Sequence, residues 1–145
     1  MFKRFFIASL FLLGFATGCK KDSTPTNSGV PNVAVSIFID TTNPMYVSLA
    51  AVGGWMYVTG GYDGIIIYRQ TQDNFLAFDR GCPYDCITNT KAIVAVQSTH
   101  ITIVCPECST TYSLFSGTAS KGPGTLALKQ YQTSFDGVSS LTISN

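Results

Sequence analysis

Two short cysteine pairs carry the side chains best suited to chemistry in this chain: Cys82-Pro83-Tyr84-Asp85-Cys86 and Cys105-Pro106-Glu107-Cys108. Together they hold four of the five cysteines. Thiolate is a soft, strongly donating ligand, and four thiolates brought to one point suit zinc or iron held tetrahedrally, or an iron–sulfur cluster. Cys82, Cys86, Cys105 and Cys108 are therefore the candidate metal ligands. A proline follows the first cysteine of each pair and stiffens the turn. The spacing at 105–108 lets both sulfurs face one ion, whereas the longer 82–86 spacing is looser. On spacing alone another reading stays open, because close cysteine pairs in an oxidising compartment become disulfides.

Loops that must converge need a rigid frame, and the rest of the chain supplies strands. Nothing sustains a helical period, while short apolar or alternating runs recur between Gly, Pro, Asn and Asp. Expected strands cover 33–39, 55–58, 65–69, 75–79, 92–97, 101–104, 112–115, 126–129, 131–135 and 141–144. Residues 46–51 fit a strand or one helical turn. Gly60-Gly61-Tyr62-Asp63-Gly64 and Asp136-Gly137 read as hairpin turns, since glycine admits the positive φ such turns require. Ile65, Ile66 and Ile67 break the alternation, which predicts a strand covered on both faces. Most aromatics, Trp55 and Tyr57 included, are read as core packing. The expected fold class is all-β.

The N-terminus belongs to different chemistry. Met1-Phe2-Lys3-Arg4, an apolar run to Phe15 and Ala16-Thr17-Gly18-Cys19 form a secretory leader, too short in its apolar part to anchor permanently. This stretch resembles a bacterial lipoprotein signal. The resemblance implies a leader over 1–18, cleavage before Cys19, acylation of Cys19 and attachment to a membrane of the cell envelope through that lipid. An ordinary leader or a single membrane anchor is the alternative. Residues 20–31 carry almost nothing apolar and read as part of a lipidated tether over 19–32. A folded domain over 33–145 follows, with its metal loops within 80–112. Of nine basic and eight acidic residues, Lys3 and Arg4 lie in the leader, which leaves seven against eight. No basic stripe is present to neutralise phosphates, so nucleic acid is not an expected partner.

The order of motifs adds a family. Gly64-Ile65-Ile66-Ile67-Tyr68-Arg69, Phe75-Leu76-Ala77-Phe78-Asp79, Cys82-Pro83, Cys105-Pro106-Glu107-Cys108, Tyr112-Ser113-Leu114-Phe115-Ser116-Gly117 and Gly122-Pro123-Gly124 precede Leu126-Ala127-Leu128-Lys129-Gln130-Tyr131, and this succession resembles a Rieske domain over most of the folded chain. The resemblance implies a Rieske-like antiparallel β-sandwich with a small subdomain whose two loops hold a [2Fe-2S] cluster. It implies single-electron transfer to a redox protein partner. In that family each loop pairs a cysteine with a histidine, two residues on in the first loop and three in the second. Here Tyr84 and Cys108 occupy the histidine places, and Cys86 stands two residues beyond Tyr84. Cys82 and Cys105 carry over as ligands, Cys108 by substitution, and Cys86 by a bend of its loop; Tyr84 is expected to pack over the site.

Thr110 and Tyr112 fall where some members place a hydroxyl residue and a tyrosine that hydrogen-bond to the cluster; plain β-sheet packing is the competing reading for both. Exchanging neutral imidazoles for anionic thiolates disfavours electron uptake. A [2Fe-2S] centre here is therefore expected to move from the Rieske range toward roughly −400 mV and to lose the pH dependence imidazoles confer. Zinc remains the alternative cofactor, in a non-redox structural or interaction lipoprotein, and disulfides are the further alternative. His100, the one histidine, reads as a surface or turn residue. No nucleophile and base constellation is visible, so no catalytic centre is expected.

Overall fold

The computed structural model describes residues 29–145; the leader and Cys19 lie outside the described residues. Among the described residues ten strands form two antiparallel sheets, in line with the all-β expectation. The larger sheet has the order β1-β10-β9-β4-β3-β2 and the smaller β5-β6-β7-β8. In the larger sheet β1 is Ser36–Asp40, β2 Trp55–Val58, β3 Ile65–Arg69, β4 Phe75–Asp79, β9 Gln130–Phe135 and β10 Ser140–Ser144. In the smaller one β5 is Ala95–Val96, β6 Thr102–Val104, β7 Thr111–Ser113 and β8 Ala119–Lys121.

β3 shows why the isoleucine run does not alternate. All five of its residues are buried. Ile65 and Ile67 join Ile39, Leu49, Phe75, Ala77, Leu141 and Ile143 in one core, so strands from both ends of the larger sheet meet and the sheet must curl. Ile66 and Tyr68 face the other way, into a second core with Phe78, Val94, Ile103, Tyr112, Leu114 and the sulfurs of Cys82 and Cys105. That second core joins the larger sheet to the smaller one. The first cysteine loop leaves the end of β4, and the second connects β6 to β7, so the two loops are rooted in different sheets.

Several local readings change. Residues 46–51 resolve toward the helical option, as a 3-10 helix over Pro44–Leu49 whose N-cap, Asn43, accepts the Met45 N–H at 3.0 Å. Residues 126–129 alternate as a strand would but form no ladder; Leu128 and Lys129 make isolated bonds to Gly117 and Asp79. β8 was not expected, because Ala119-Ser120-Lys121 has no apolar alternation and owes its form to pairing with β7 across a bulge. The run 92–97 shortens to the two-residue strand β5 with an isolated bridge from Ile93 to Gly81, and Ala92 and Val94 are buried outside the strand. The Asp136 turn forms as read. Its carboxylate accepts the N–H groups of Val138, Ser139 and Ser140 at 2.8–2.9 Å, and these bonds hold its pKa down to about 2.

Residues 29–32, assigned from the sequence to the tether, are seated on the domain. Val30 is buried, and Lys129 Nζ donates to the Pro31 carbonyl at 3.0 Å and to Asn32 Oδ1 at 2.9 Å. Among the described residues no helix is long and apolar enough to cross a membrane.

Candidate metal centre

Each loop is closed by its own backbone before any side chain is considered. In the first, the N–H of Cys86 donates to the Cys82 carbonyl at 2.9 Å, one helix-like turn, while the Cys82 N–H donates to Ala92 O at 2.9 Å. In the second, the Cys105 N–H donates to Thr110 O at 2.9 Å and the Ser109 N–H donates to Cys105 O at 2.9 Å. Ser109 takes a left-handed φ of 59° to make that return.

Closed in this way, the two loops bring Cys82, Cys105 and Cys108 together, with all three sulfurs within 4.8 Å of one another. Cys82 Sγ and Cys108 Sγ are 3.6 Å apart. Cys86 does not join them: its thiol is buried and donates to the Gly29 carbonyl at 3.8 Å. All four are free thiols in this structure. Tyr84, on the same loop, is 55% exposed. What Tyr84 contributes is its backbone N–H, a donor to the Cys82 sulfur.

The two hydroxyl residues stand against sulfur. Tyr112 is fully buried with its hydroxyl 3.4 Å from Cys82 Sγ, and the Cys108 thiol meets Thr110 Oγ1 at 3.1 Å. Thr110 Oγ1 is fixed from the far side by the Gly124 N–H at 3.0 Å. Gly122 closes the same contact. Its φ of 103° and the nearness of the Thr110 backbone leave no room for a side chain there.

Electrostatics rank the thiols. Burial raises the cost of a Cys82 thiolate, but donation from Tyr112, from the Tyr84 N–H and from the neighbouring thiols outweighs it and brings the pKa below the usual thiol value. Burial pushes Cys105 up to about 12 despite the N–H groups of Cys108 and Glu107 at its sulfur. Cys86 is pushed up to about 11 by burial and by the negative charges of Asp63, Cys82 and Asp79. Burial and the Cys82 contact push the Tyr112 hydroxyl well above its ordinary value, which keeps it a donor. Cys82 therefore ionises more readily than Cys86 or Cys105. Cys82, Cys105 and Cys108 would hold a soft cation, whose binding would release their protons.

One residue that positions the site escaped the sequence reading. Asp79 is completely buried at the end of β4. Its Oδ2 accepts from Tyr131 O–H at 2.6 Å and the Tyr62 N–H at 2.7 Å, and its Oδ1 accepts from the Gly81 N–H at 2.7 Å and the Asp63 N–H at 3.3 Å. One carboxylate therefore pins the β2–β3 turn to the residue just before Cys82. The available signal was an aspartate ending a fully apolar strand directly ahead of a cysteine loop. His100 is an exposed turn residue, as read, with its ring 5.6 Å from that of Trp55. Tyr57 is half-buried and uses its hydroxyl to accept the Val96 N–H at 2.9 Å.

The fold and the site define an all-β protein with a thiol-lined candidate metal centre between two sheets. No protein-family model and no curated protein matches the chain. Among solved structures the chain is similar to the ferredoxin of carbazole 1,9a-dioxygenase from Nocardioides aromaticivorans IC177. The two share 16% identity over 77% of this chain and 97% of that one, with a TM-score of 0.46. Function is accordingly read from the chain's own cysteines.

Proposed function

We propose that this chain is a Rieske-like lipoprotein of a bacterial cell envelope, exported and anchored through Cys19, that binds a [2Fe-2S] cluster and passes single electrons to a protein partner. The observation that carries the reading is the convergence of three thiols from two Cys-Pro loops onto one point, with the Tyr112 and Thr110 hydroxyls at two of the sulfurs. When bound, such a cluster takes up and releases one electron. The ligand set is Cys82, Cys105, Cys108 and Cys86. Cys86 lies one turn beyond Cys82, and only a weak thiol-to-carbonyl bond holds its sulfur aside. That bond is worth about 1 kcal/mol, against roughly 3 kcal/mol for each of four thiolates sharing the binding energy of a structural metal.

The chain's own groups set how readily the centre is reduced. Four thiolates concentrate negative charge and hold the potential near about −400 mV. Donation from Tyr112 O–H and from the N–H groups of Tyr84, Glu107 and Cys108 to the sulfurs offsets part of that charge. Tyr112→Phe removes one donor that favours the reduced form, and is expected to lower the potential by about 20 to 65 mV, the equivalent of one hydrogen bond. Spectroelectrochemical titration of both proteins measures the difference; an unchanged potential would assign Tyr112 to packing alone.

A second reading is a structural zinc site in a non-redox module, favoured by how tightly the three sulfurs are grouped. Two sulfurs on one tetrahedral ion with bonds of about 2.3 Å stand about 3.8 Å apart, close to the 3.6 Å between Cys82 and Cys108. Metal and acid-labile sulfide analysis with a visible spectrum, on chain purified without oxygen, separates the two. Iron and sulfide at about two each per chain are expected for the cluster. Zinc at about one with no sulfide would replace electron transfer with a structural role.

A further inference from the structure

The two ends of the larger sheet are finished differently. β2, at one end, is half-buried along its length, and the Val96 N–H of the smaller sheet reaches across to its Tyr57 hydroxyl. β1, at the other end, has β10 as its one strand neighbour. Its register with β10 is regular over Ser36–Asp40, and the run Ser36-Ile37-Phe38-Ile39-Asp40 holds no lysine, proline, glycine or bulge. Those are among the devices that keep an exposed strand edge from pairing. Asp40, at its end, is the strand's one charge.

Two flanking bonds fix which way the β1 main chain points. The Thr41 N–H donates to Ser139 O at 2.8 Å and the Val35 N–H to Asn145 Oδ1 at 2.9 Å, so Val35, Ile37, Ile39 and Thr41 turn their main-chain groups toward β10. Ser36, Phe38 and Asp40 turn theirs to the open side, since the sense alternates along an antiparallel strand. The Asp40 carbonyl there accepts the Asn43 N–H at 3.1 Å; the other N–H and C=O groups on this side meet no partner among the described residues. Side chains divide the same way. Ile39 is buried and Ile37 packs against the same core, while Phe38 is 66% exposed on the outer face, in a row with Thr142 and Ser134. Its own sheet offers that ring polar neighbours.

We propose that β1 is a self-pairing edge: two copies of this chain join antiparallel through Ser36–Asp40 about a twofold axis at Phe38, continuing the larger sheet from one copy into the next. The free groups set the register. Phe38 exchanges N–H and C=O bonds with its counterpart, and each Asp40 N–H donates to the opposite Ser36 carbonyl. A twofold contact must complement itself, and this strand reads nearly alike in both directions from Phe38. Ile37 then lies opposite Ile39 on the core side, and the Phe38 pair, with Cα atoms about 5.5 Å apart, meets on the outer face. Ser36 faces Asp40, a hydroxyl against a carboxylate, so no like charges stand opposite one another. The two Asp40 residues end up four positions apart, about 13 Å. A second copy is the occupant because the chain has no strand of its own to add: residues 20–28 offer no apolar alternation that could pair with this edge.

The test uses the full chain in a nonionic detergent, with sedimentation equilibrium over a wide concentration range and amide exchange resolved to single residues. Wild type is expected to pass from one copy toward two as concentration rises. Over the same range the Phe38 amide should slow several-fold, while the Ile39 amide, bonded within its own sheet, should not change. Phe38→Pro deletes the N–H that crosses the axis, at an edge position where the native sheet does not use it and proline is tolerated. Phe38→Lys sets like charges opposite one another. Each is expected to weaken pairing roughly tenfold or more while keeping the circular dichroism of wild type. Val138→Lys removes an apolar side chain that is 79% exposed but lies in the β9–β10 turn, and should pair as wild type does. Any association through the leader is common to all four proteins, so the differences among them decide. Wild type that stays at one copy throughout, or pairing equally strong in Phe38→Lys and Phe38→Pro, would overturn the proposal. So would a Phe38 amide indifferent to concentration, or an equal loss of pairing in Val138→Lys. Should Phe38→Pro fail to fold, Phe38→Lys and the exchange of wild type decide alone.

Discussion

Cys105→Ser is expected to strip the centre of its metal. The Cys105 sulfur is fully buried and lies within 4.8 Å of the other two. A serine oxygen in its place is a hard, poorly ionised donor on a shorter bond, unsuited to the ions that thiolates select. Loss of a group that merely orients a ligand costs about 10- to 100-fold in metal affinity, and loss of the ligand should exceed that range. The structural consequence is local. The smaller sheet is built from strands of two or three residues and shares one core with the cysteine sulfurs, so metal-binding energy there is folding energy. Hydrogen exchange over 82–121 should therefore accelerate while β1, β9 and β10 keep their protection. Metal analysis and exchange on the same preparation check both halves. Wild-type metal content in Cys105→Ser would remove this thiol from the ligand set. Cys86→Ser is the informative companion: its metal content is also expected to fall, and full retention would leave a three-sulfur site.

The second large effect is expected from Asp79→Ala. The carboxylate is buried and takes four hydrogen bonds, from Tyr131, Tyr62, Gly81 and Asp63. Removing it takes this acceptor from all four donors, at about 4 kcal/mol or more for the set. In a domain of this size that is a fall of roughly 10 °C or more in Tm. Asp79→Asn should be milder. Its amide can keep Gly81 and Asp63 on the oxygen side and turn its NH2 toward Tyr131, whose hydroxyl can rotate to accept, so only the Tyr62 bond is lost outright. Thermal unfolding should rank wild type, Asn and Ala in that order. A Tm for Asp79→Ala within a degree or two of wild type would show that the turn and the loop hold without this carboxylate.

Much of the frame was legible because it depends on local composition. The runs that became β2, β3 and β4 are β-branched and aromatic between glycine and asparagine turns, and their register follows from which faces are buried. β8 and residues 126–129 went the other way, since pairing partners rather than composition decided them. At the centre, the two cysteine loops singled out in the sequence bring three of their four thiols together, with the Tyr112 and Thr110 hydroxyls against two of the sulfurs. It could not foresee that Cys86 turns to Gly29, because that contact spans 57 residues and joins the chain's start to a loop near its middle.

What the sequence by itself determined is therefore the all-β frame, the two thiol loops and the identity of the soft donors, because strand alternation and loop spacing are written in neighbouring residues. Only the tertiary structure decided which sulfurs meet, that Asp79 ties the β2–β3 turn to the first cysteine loop, and that Gly29 packs against that same loop. Each of these rests on contacts between residues far apart in the chain, formed only when the two sheets close over a shared core.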